Sequence, residues 1–323
     1  MPQPTTGDLH VNKVLTQISV GYVRDDQWIA DKVFPRVPVD SRGDIFMKYN
    51  RAEWNRTDAR MRAPGTESVG SGWSYTQDNY RAEIYAFHKD ITDPDRAAAD
   101  DWARLDQDAT RFVTRNLLLL REVHWRDKFF KTGVWGTDLT GVAAAPGGSQ
   151  FVQWDQAASN PTQQLRQLAD DMEEDTGYRP NTLVLGPRVK TVLMEHDDFI
   201  ERIKYTQRGV VTEDLLAGLI GVDRVLTARA VRNTAEEGAV ESENYLFGKQ
   251  ALLVYTTDAP SLMEPSGGYI FTWNGLLGTN SYDVRIKNFR MENIESDRIE
   301  GEMAYDMKVV ASDVGVFLDQ VVA

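Results

Sequence analysis

The sequence predicts an elongated α+β protein, and three observations carry that prediction. A helical pattern runs for about twenty-five residues, from Asp106 to Lys131. A strict period-two pattern runs from Ile299 to Ala311. Between them, roughly Ser159 to Asn280, short helices and short strands follow one another as in a compact mixed domain. With 323 residues, the chain suffices for one large or two ordinary domains.

The first forty residues show little periodicity. Short helices are expected over Val11 to Ser19 and Arg24 to Asp31, after which Pro35 and Pro38 hold the segment extended. It reads as an arm whose Val33, Phe34, Val37 and Val39 need a covering surface. From Ile45 to Trp54 the pattern alternates, with Ile45, Met47 and Tyr49 on one face. A second candidate strand covers Trp73 to His88. The segment between holds Arg56, Arg60, Arg62, Pro64, Gly65, Gly70 and Gly72. Read plainly, it is a surface loop. Read functionally, strands and loop form a ribbon that touches a partner, since an isolated two-stranded ribbon is marginal in water.

The strongest helix follows. Asp106 can cap it, Lys128 and Lys131 suit its negative end, and Gly133 stops it. At 1.5 Å per residue it spans roughly 38 Å, and its middle is apolar almost all round. Gly133 to Ser149 reads as a loop. Ser159, Asn160 and Pro161 open a helix to about Asp175, with Leu165, Leu168, Ala169 and Met172 as its buried stripe. A buried strand is expected at Thr182 to Leu185, then helices near Val189 to Glu195, Phe199 to Tyr205 and Glu213 to Ile220. Further strands are expected at Arg224 to Val231, Tyr245 to Tyr255 and Tyr269 to Trp273. Tyr282, Val284 and Ile286 alternate, and the phase then slips to Phe289 and Met291, as a bulge near Lys287 and Asn288 would produce. The last strand, Ile299 to Ala311, would span roughly 43 Å, twice the usual length.

Composition removes several function classes. The net charge is −13, which argues against a protein that grips nucleic acid along a broad basic face. There is no cysteine, so disulfides, thiolate nucleophiles and iron–sulfur sites are excluded. The longest aliphatic run, Leu117 to Leu120, is far shorter than a membrane span, and Asp8, Asn12 and Lys13 interrupt any signal peptide. The chain reads as a soluble product that stays where it is made. No phosphate loop, dinucleotide fingerprint or nucleophile elbow occurs. His10, His88, His124 and His196 are scattered, and His196 with Asp197 and Asp198 reads as a solvated turn rather than a metal site. No catalytic, cofactor-binding or metal-ligating constellation emerges.

The order of arm, ribbon with long loop, long helix, mixed domain and long strands resembles the major capsid protein of tailed double-stranded DNA bacteriophages. That fold is shared with herpesvirus capsids and encapsulins. Local wording resembles it too, in Trp28-Ile29-Ala30-Asp31-Lys32-Val33-Phe34-Pro35, in Arg179-Pro180-Asn181-Thr182-Leu183-Val184-Leu185-Gly186, and in the run from Lys204 to Thr212. The resemblance implies an N-terminal arm (1–43), an extended loop (44–88), a peripheral domain (89–158 and 281–323) with its spine helix at about 106–131, and an axial domain (159–280). It implies a non-enzymatic subunit that self-assembles into the pentamers and hexamers of an icosahedral shell around the double-stranded DNA genome, in the virion, built in the host cytoplasm. Neighbouring subunits would cover the apolar residues of arm and ribbon. Implied partners are other copies of the chain, portal, scaffolding and decoration proteins, and non-specifically held DNA. No cofactor, membrane or covalent crosslink is expected. Candidate inter-subunit contacts are Arg56, Arg60 and Arg62 against Asp90, Asp93, Asp95, Asp100 and Asp101. Glu236 and Glu237 are candidates for loops around the symmetry axes. The alternatives are an encapsulin-type nanocompartment subunit and a soluble hydrolase.

Overall fold

The computed structural model describes residues 10–11, 27–49, 55–72, 74–98, 102–203, 212–236, 238–260, 265–277 and 284–323. The chain begins with β1 (His10–Val11), α1 (Ala30–Val33) and β2 (Arg36–Val39), then the ribbon strands β3 (Gly43–Tyr49) and β4 (Tyr75–Arg81). Next come β5 (Glu83–Thr92), α2 (Asp93–Ala98) and the spine helix α3 (Trp102–Phe129). The middle of the chain forms β6 (Thr137–Val142), β7 (Gln150–Val152), α4 (Pro161–Thr176), β8 (Thr182–Leu185), α5 (Pro187–Glu195), α6 (Asp197–Ile203) and α7 (Glu213–Ile220). It continues through β9 (Arg224–Thr227), β10 (Val231–Asn233), β11 (Glu243–Tyr245), β12 (Ala251–Val254), β13 (Gly268–Trp273) and α8 (Asn274–Leu277). The last strands are β14 (Arg285–Met291), β15 (Ser296–Val309) and β16 (Gly315–Asp319).

Two sheets organise these elements. One runs β1-β14-β15-β13-β2, with β5 paired along the other edge of β15. The other runs β7-β6-β16-β12-β8-β9. The 28 residues of α3 make a rod of about 42 Å, which lies on the first sheet against β15. Gly301 of β15 makes this approach possible, because a Cβ there would stand 2.7 Å from Val113 Cγ1 and 2.8 Å from Leu117 Cδ1.

The two sheets meet in one aromatic cluster at the C-terminal half of α3. Phe34 and Phe129 have ring centroids 4.5 Å apart, Trp125 lies 5.7 Å from Phe247, and Phe130 meets Phe317 edge-on at 5.3 Å. Fully buried aromatics of this size dominate core energetics. They join elements from residue 34 to residue 317 into a common core.

Several elements differ from expectation for identifiable reasons. Trp28, Ile29, Ala30, Val33 and Phe34 are buried in the chain's own core, so this part of the expected arm needs no neighbour to cover it. The reason is Glu122 of α3, whose Oε1 accepts the backbone N–H groups of Ile29 and Ala30 at 2.9 and 2.8 Å. The expected helix over Arg24 to Asp31 appears, in its described part, as α1 at Ala30–Val33. Of Val11 to Ser19, the structure describes only Val11, in β1. The expected strand Trp73 to His88 divides at Ala82, which is fully buried. Before it the chain pairs with β3, and after it with β15.

Part of the expected loop after α3 is the strand β6, drawn into parallel pairing with β16 near the chain terminus. No local pattern announces so distant a partner. The segment Tyr245 to Tyr255 divides between β11 and β12. The expected bulge near Lys287 is absent: β14 pairs with β15 in unbroken register from Arg285↔Glu302 to Met291↔Ser296. The apparent slip arises because Lys287 is itself buried, its ammonium paired with Glu302. Sheet membership also cuts across the expected segments. β13, from 159–280, and β2, from 1–43, lie in the first sheet, whereas β16, from 281–323, sits inside the second.

Candidate assembly interface

The ribbon is held at its base. Phe46 and Tyr80 pack on Phe271 of β13 at 5.2 and 4.5 Å, and Lys48 pairs with Asp78 at 2.7 Å while donating to Val309 O. The Lys48 ammonium holds the Asp78 carboxyl below its ordinary value. The opposite face is left to solvent, with Ile45 at 59%, Met47 at 43% and Tyr75 at 50% exposure. The alternation thus places Phe46 and Lys48 inward and a row of apolar side chains outward.

The described loop residues, 55–72, are exposed except for the half-buried Asp58. Arg62 is tied locally to Thr66 O, within a turn closed by the Thr66 N–H on Ala63 O at 3.2 Å. Arg56 and Arg60 have no ion-pair partner among the described residues. Met61, between Arg60 and Arg62, is 100% exposed.

The candidate acids lie at the other end of β5 and on α2. Asp90 accepts two hydrogen bonds from Arg298 at 2.7 and 2.8 Å, and this arginine is what holds its carboxyl below the ordinary range. Asp93 is held in the same bidentate way by Arg290 at 2.6 and 2.5 Å, with the same downward direction. Asp95 accepts the Thr92 hydroxyl at 2.7 Å. Both arginine partners come from β14 and β15, some two hundred residues away. Only the strand register reveals them; Asp90 and Arg298 face each other directly in the β5–β15 pairing. Asp100, Asp101 and Glu237 lie outside the described residues. Glu236 is exposed on the loop between β10 and β11, a hairpin set apart from both main sheets.

One pair invites a catalytic reading. Ser159 Oγ lies 3.0 Å from His196 Nε2. His196 Nδ1, however, accepts the backbone N–H of Asp198 at 3.1 Å. A neutral imidazole accepting at Nδ1 carries its proton on Nε2, so it donates to Ser159 rather than taking the hydroxyl proton. The Asp198 carboxylate is turned away, accepting the Thr162 N–H at 3.1 Å and Arg202 at 2.9 Å. This is a structural turn around the start of α4, not an activated nucleophile. Among the described residues no cluster of three or more His, Asp or Glu side chains could hold a metal ion, and no helix is long and apolar enough to cross a membrane.

No protein-family model matches the chain. It is 24% identical over 303 residues to the major capsid protein of Burkholderia phage BcepMu, covering 90% of this chain and 91% of that one. It is 25% identical over 316 residues to the major capsid protein of Pseudomonas phage JBD67, covering 97% of both. Among solved structures, a phage-related protein from Bordetella bronchiseptica superposes with a TM-score of 0.72 at 20% identity, over 97% of this chain and 98% of that one. The mature capsid of bacteriophage PhiM1 gives 0.54 at 13% identity, over 88% and 84%. An encapsulin from Synechococcus elongatus gives 0.53 at 12% identity, over 100% and 94%. The long spine helix on a long-stranded sheet, joined to a second mixed sheet, is therefore the tailed-phage capsid fold, and the chain is a homologue of phage major capsid proteins.

Proposed function

We propose that the chain is the repeating structural subunit of an icosahedral phage head, assembled as pentamers and hexamers around double-stranded DNA. The observation that carries this reading is similarity to two phage major capsid proteins over at least 90% of the chain. The ribbon's exposed apolar row supports it, since such a surface needs covering and a closed lattice of identical copies supplies the cover. The encapsulin reading shares the fold, but the named sequence relatives are phage proteins. Scaffolding and portal proteins are proposed partners, with decoration proteins as a further class, and assembly is proposed to take place in the host cytoplasm. The spine helix and first sheet would form the peripheral part, and the second sheet with α4 to α7 the axial part. Glu236 and Glu237 would then lie on loops around the five- and six-fold openings.

The test is light scattering with electron microscopy on the purified chain, alone and with its scaffold. Closed shells holding DNA after infection are the expected result. A folded monomer under every condition would overturn the reading. Shells loaded with an enzyme cargo instead of DNA would favour the nanocompartment, and a shell map placing Glu236 far from every axis would remove the acidic-ring assignment.

A further inference from the structure

The short helix α1 is gripped from both sheets of the fold. On the side of the first sheet, Glu122 of α3 accepts the N–H groups of Ile29 and Ala30 at its start, and Arg121 pairs with Asp31. Just beyond the helix, Pro35 O accepts the Ile270 N–H at 3.2 Å, and β2 runs parallel with β13. On the side of the second sheet, Arg224 of β9 reaches the last residue of α1. Its Nη2 donates to Val33 O at 3.4 Å and to Thr256 Oγ1 at 2.9 Å, and its Nε donates to Thr182 Oγ1 at 2.9 Å. Both hydroxyls are buried. Thr182 faces Arg224 across the β8–β9 pairing, and Thr256 follows β12. The second sheet thus aims the guanidinium, and the remaining Nη2 proton is spent on α1.

We propose that α1 is the pin that fixes the angle between the two sheets, with Arg224 as its positioning residue, and that this angle sets the curvature of the shell. The link to curvature rests on the shell reading, whereas the pin itself is a property of the single subunit. Around the pin the sheets meet through aromatic faces, Trp125 on Phe247 and Phe130 on Phe317. Apolar packing is non-directional, so it resists separation of the sheets better than slight rocking of one on the other. Hydrogen bonds weaken steeply when bent, and the planar guanidinium presents its donors in a fixed fork. Arg224 therefore supplies the directional restraint that the aromatic cluster lacks.

Curvature follows from repetition. Identical contacts close into a shell only when the rotation between neighbouring copies is right, and otherwise build open assemblies. A subunit that meets its neighbours through both sheets passes any change of its internal angle to every boundary.

The absence of cysteine gives a clean test. Spin labels on Arg115→Cys and Glu174→Cys, exposed positions of α3 and α4, report the distance between the two sheets' helices in unassembled subunits by pulsed dipolar spectroscopy. Arg224→Ala is expected to widen the distance distribution at least twofold while circular dichroism shows the subunit folded. Leu193→Ala, which opens a cavity in the buried face of α5, lowers stability without touching the pin and is expected to leave the width unchanged. Shells of Arg224→Ala are expected to show at least twice the wild-type spread of diameters in electron micrographs, or to give way to open fragments. A wild-type distance width in Arg224→Ala would overturn the proposal, and so would equal widening by Leu193→Ala. Closed shells of wild-type diameter and spread would overturn the link to curvature. If Arg224→Ala does not fold, Thr256→Val decides, because it removes the hydroxyl that aims the guanidinium: a wild-type width from it would overturn the pin. Failure of the unmodified chain to form any shell would instead count against the shell reading and leave the distance measurement standing.

Discussion

Gly301 of the long strand and Val113 of the spine helix stand in direct apposition, with space for a hydrogen but not for a methyl group. A Cβ on Gly301 would come within 2.7 Å of Val113 Cγ1. The distance between the spine helix and the first sheet is set here.

Gly301→Ala should therefore push α3 off the sheet and destabilise the subunit by about 1–3 kcal/mol, the usual penalty for overpacking. Denaturant melts of unassembled subunits would measure it. Combining it with Val113→Ala should recover part of the loss, since the added methyl then meets a smaller partner. A full additive loss in the double variant would refute the steric account.

Glu122 should make stability depend on pH. Burial, assisted by the Asp31 carboxylate, raises its carboxyl from 4.5 to about 7, against the opposing pull of the Ile29 and Ala30 N–H groups and Arg121. The folded state thus holds a proton that the unfolded chain has already released. This contribution is fully present below pH 4.5 and is lost as pH rises to about 7, a change on the order of 3 kcal/mol. Glu122→Gln keeps the accepting Oε1 and removes the titration, so its stability relative to wild type should rise between pH 5 and 8. Glu122→Leu leaves two buried N–H groups unpaired and should lose about 1–3 kcal/mol for each. A pH-independent difference between wild type and the Gln variant would sink this account.

Ser159 should be unreactive. Because His196 donates to it rather than accepting from it, an organophosphonate probe should leave the serine unlabelled at neutral pH, as judged by intact mass. Stoichiometric labelling would reopen the hydrolase alternative.

The loop arginines should act on assembly rather than folding. Changing Arg56, Arg60 and Arg62 together to Glu is expected to leave the circular dichroism and melting temperature unchanged and to block or misdirect shell formation. Each exposed pair would contribute only about 0–1 kcal/mol, but the contact repeats at every subunit boundary. The same contact should weaken with added salt, because screening at physiological ionic strength already acts over about 8 Å. Shells of normal yield and size from the triple variant would refute the contact.

The amino-acid sequence by itself determined the elements whose signals are local. Asn160 does cap α4, accepting the Gln163 N–H at 3.2 Å, and Gly177 ends that helix at φ 77°. The spine helix and the long strand fall within a few residues of their expected ends, α3 at Trp102–Phe129 and β15 at Ser296–Val309, since alternation from Ile299 to Ala311 and about twenty-five residues of helical pattern leave little ambiguity. The exposed loop was equally legible, because Gly, Pro and Arg in such density cannot enter a core.

Only the tertiary structure decided which side chains meet. Asp90 and Asp93 look like free acids along the chain, but β14 and β15 bring an arginine to each. Lys287 looks like a break in a strand, and burial against Glu302 makes it part of one. The Trp28–Phe34 segment looks like an arm awaiting a neighbour until Glu122 caps it and Trp125, Phe129 and Trp135 enclose Phe34. Each of these outcomes depends on partners from 15 to 208 residues apart, selected by strand register and packing, which neither periodicity nor capping encodes.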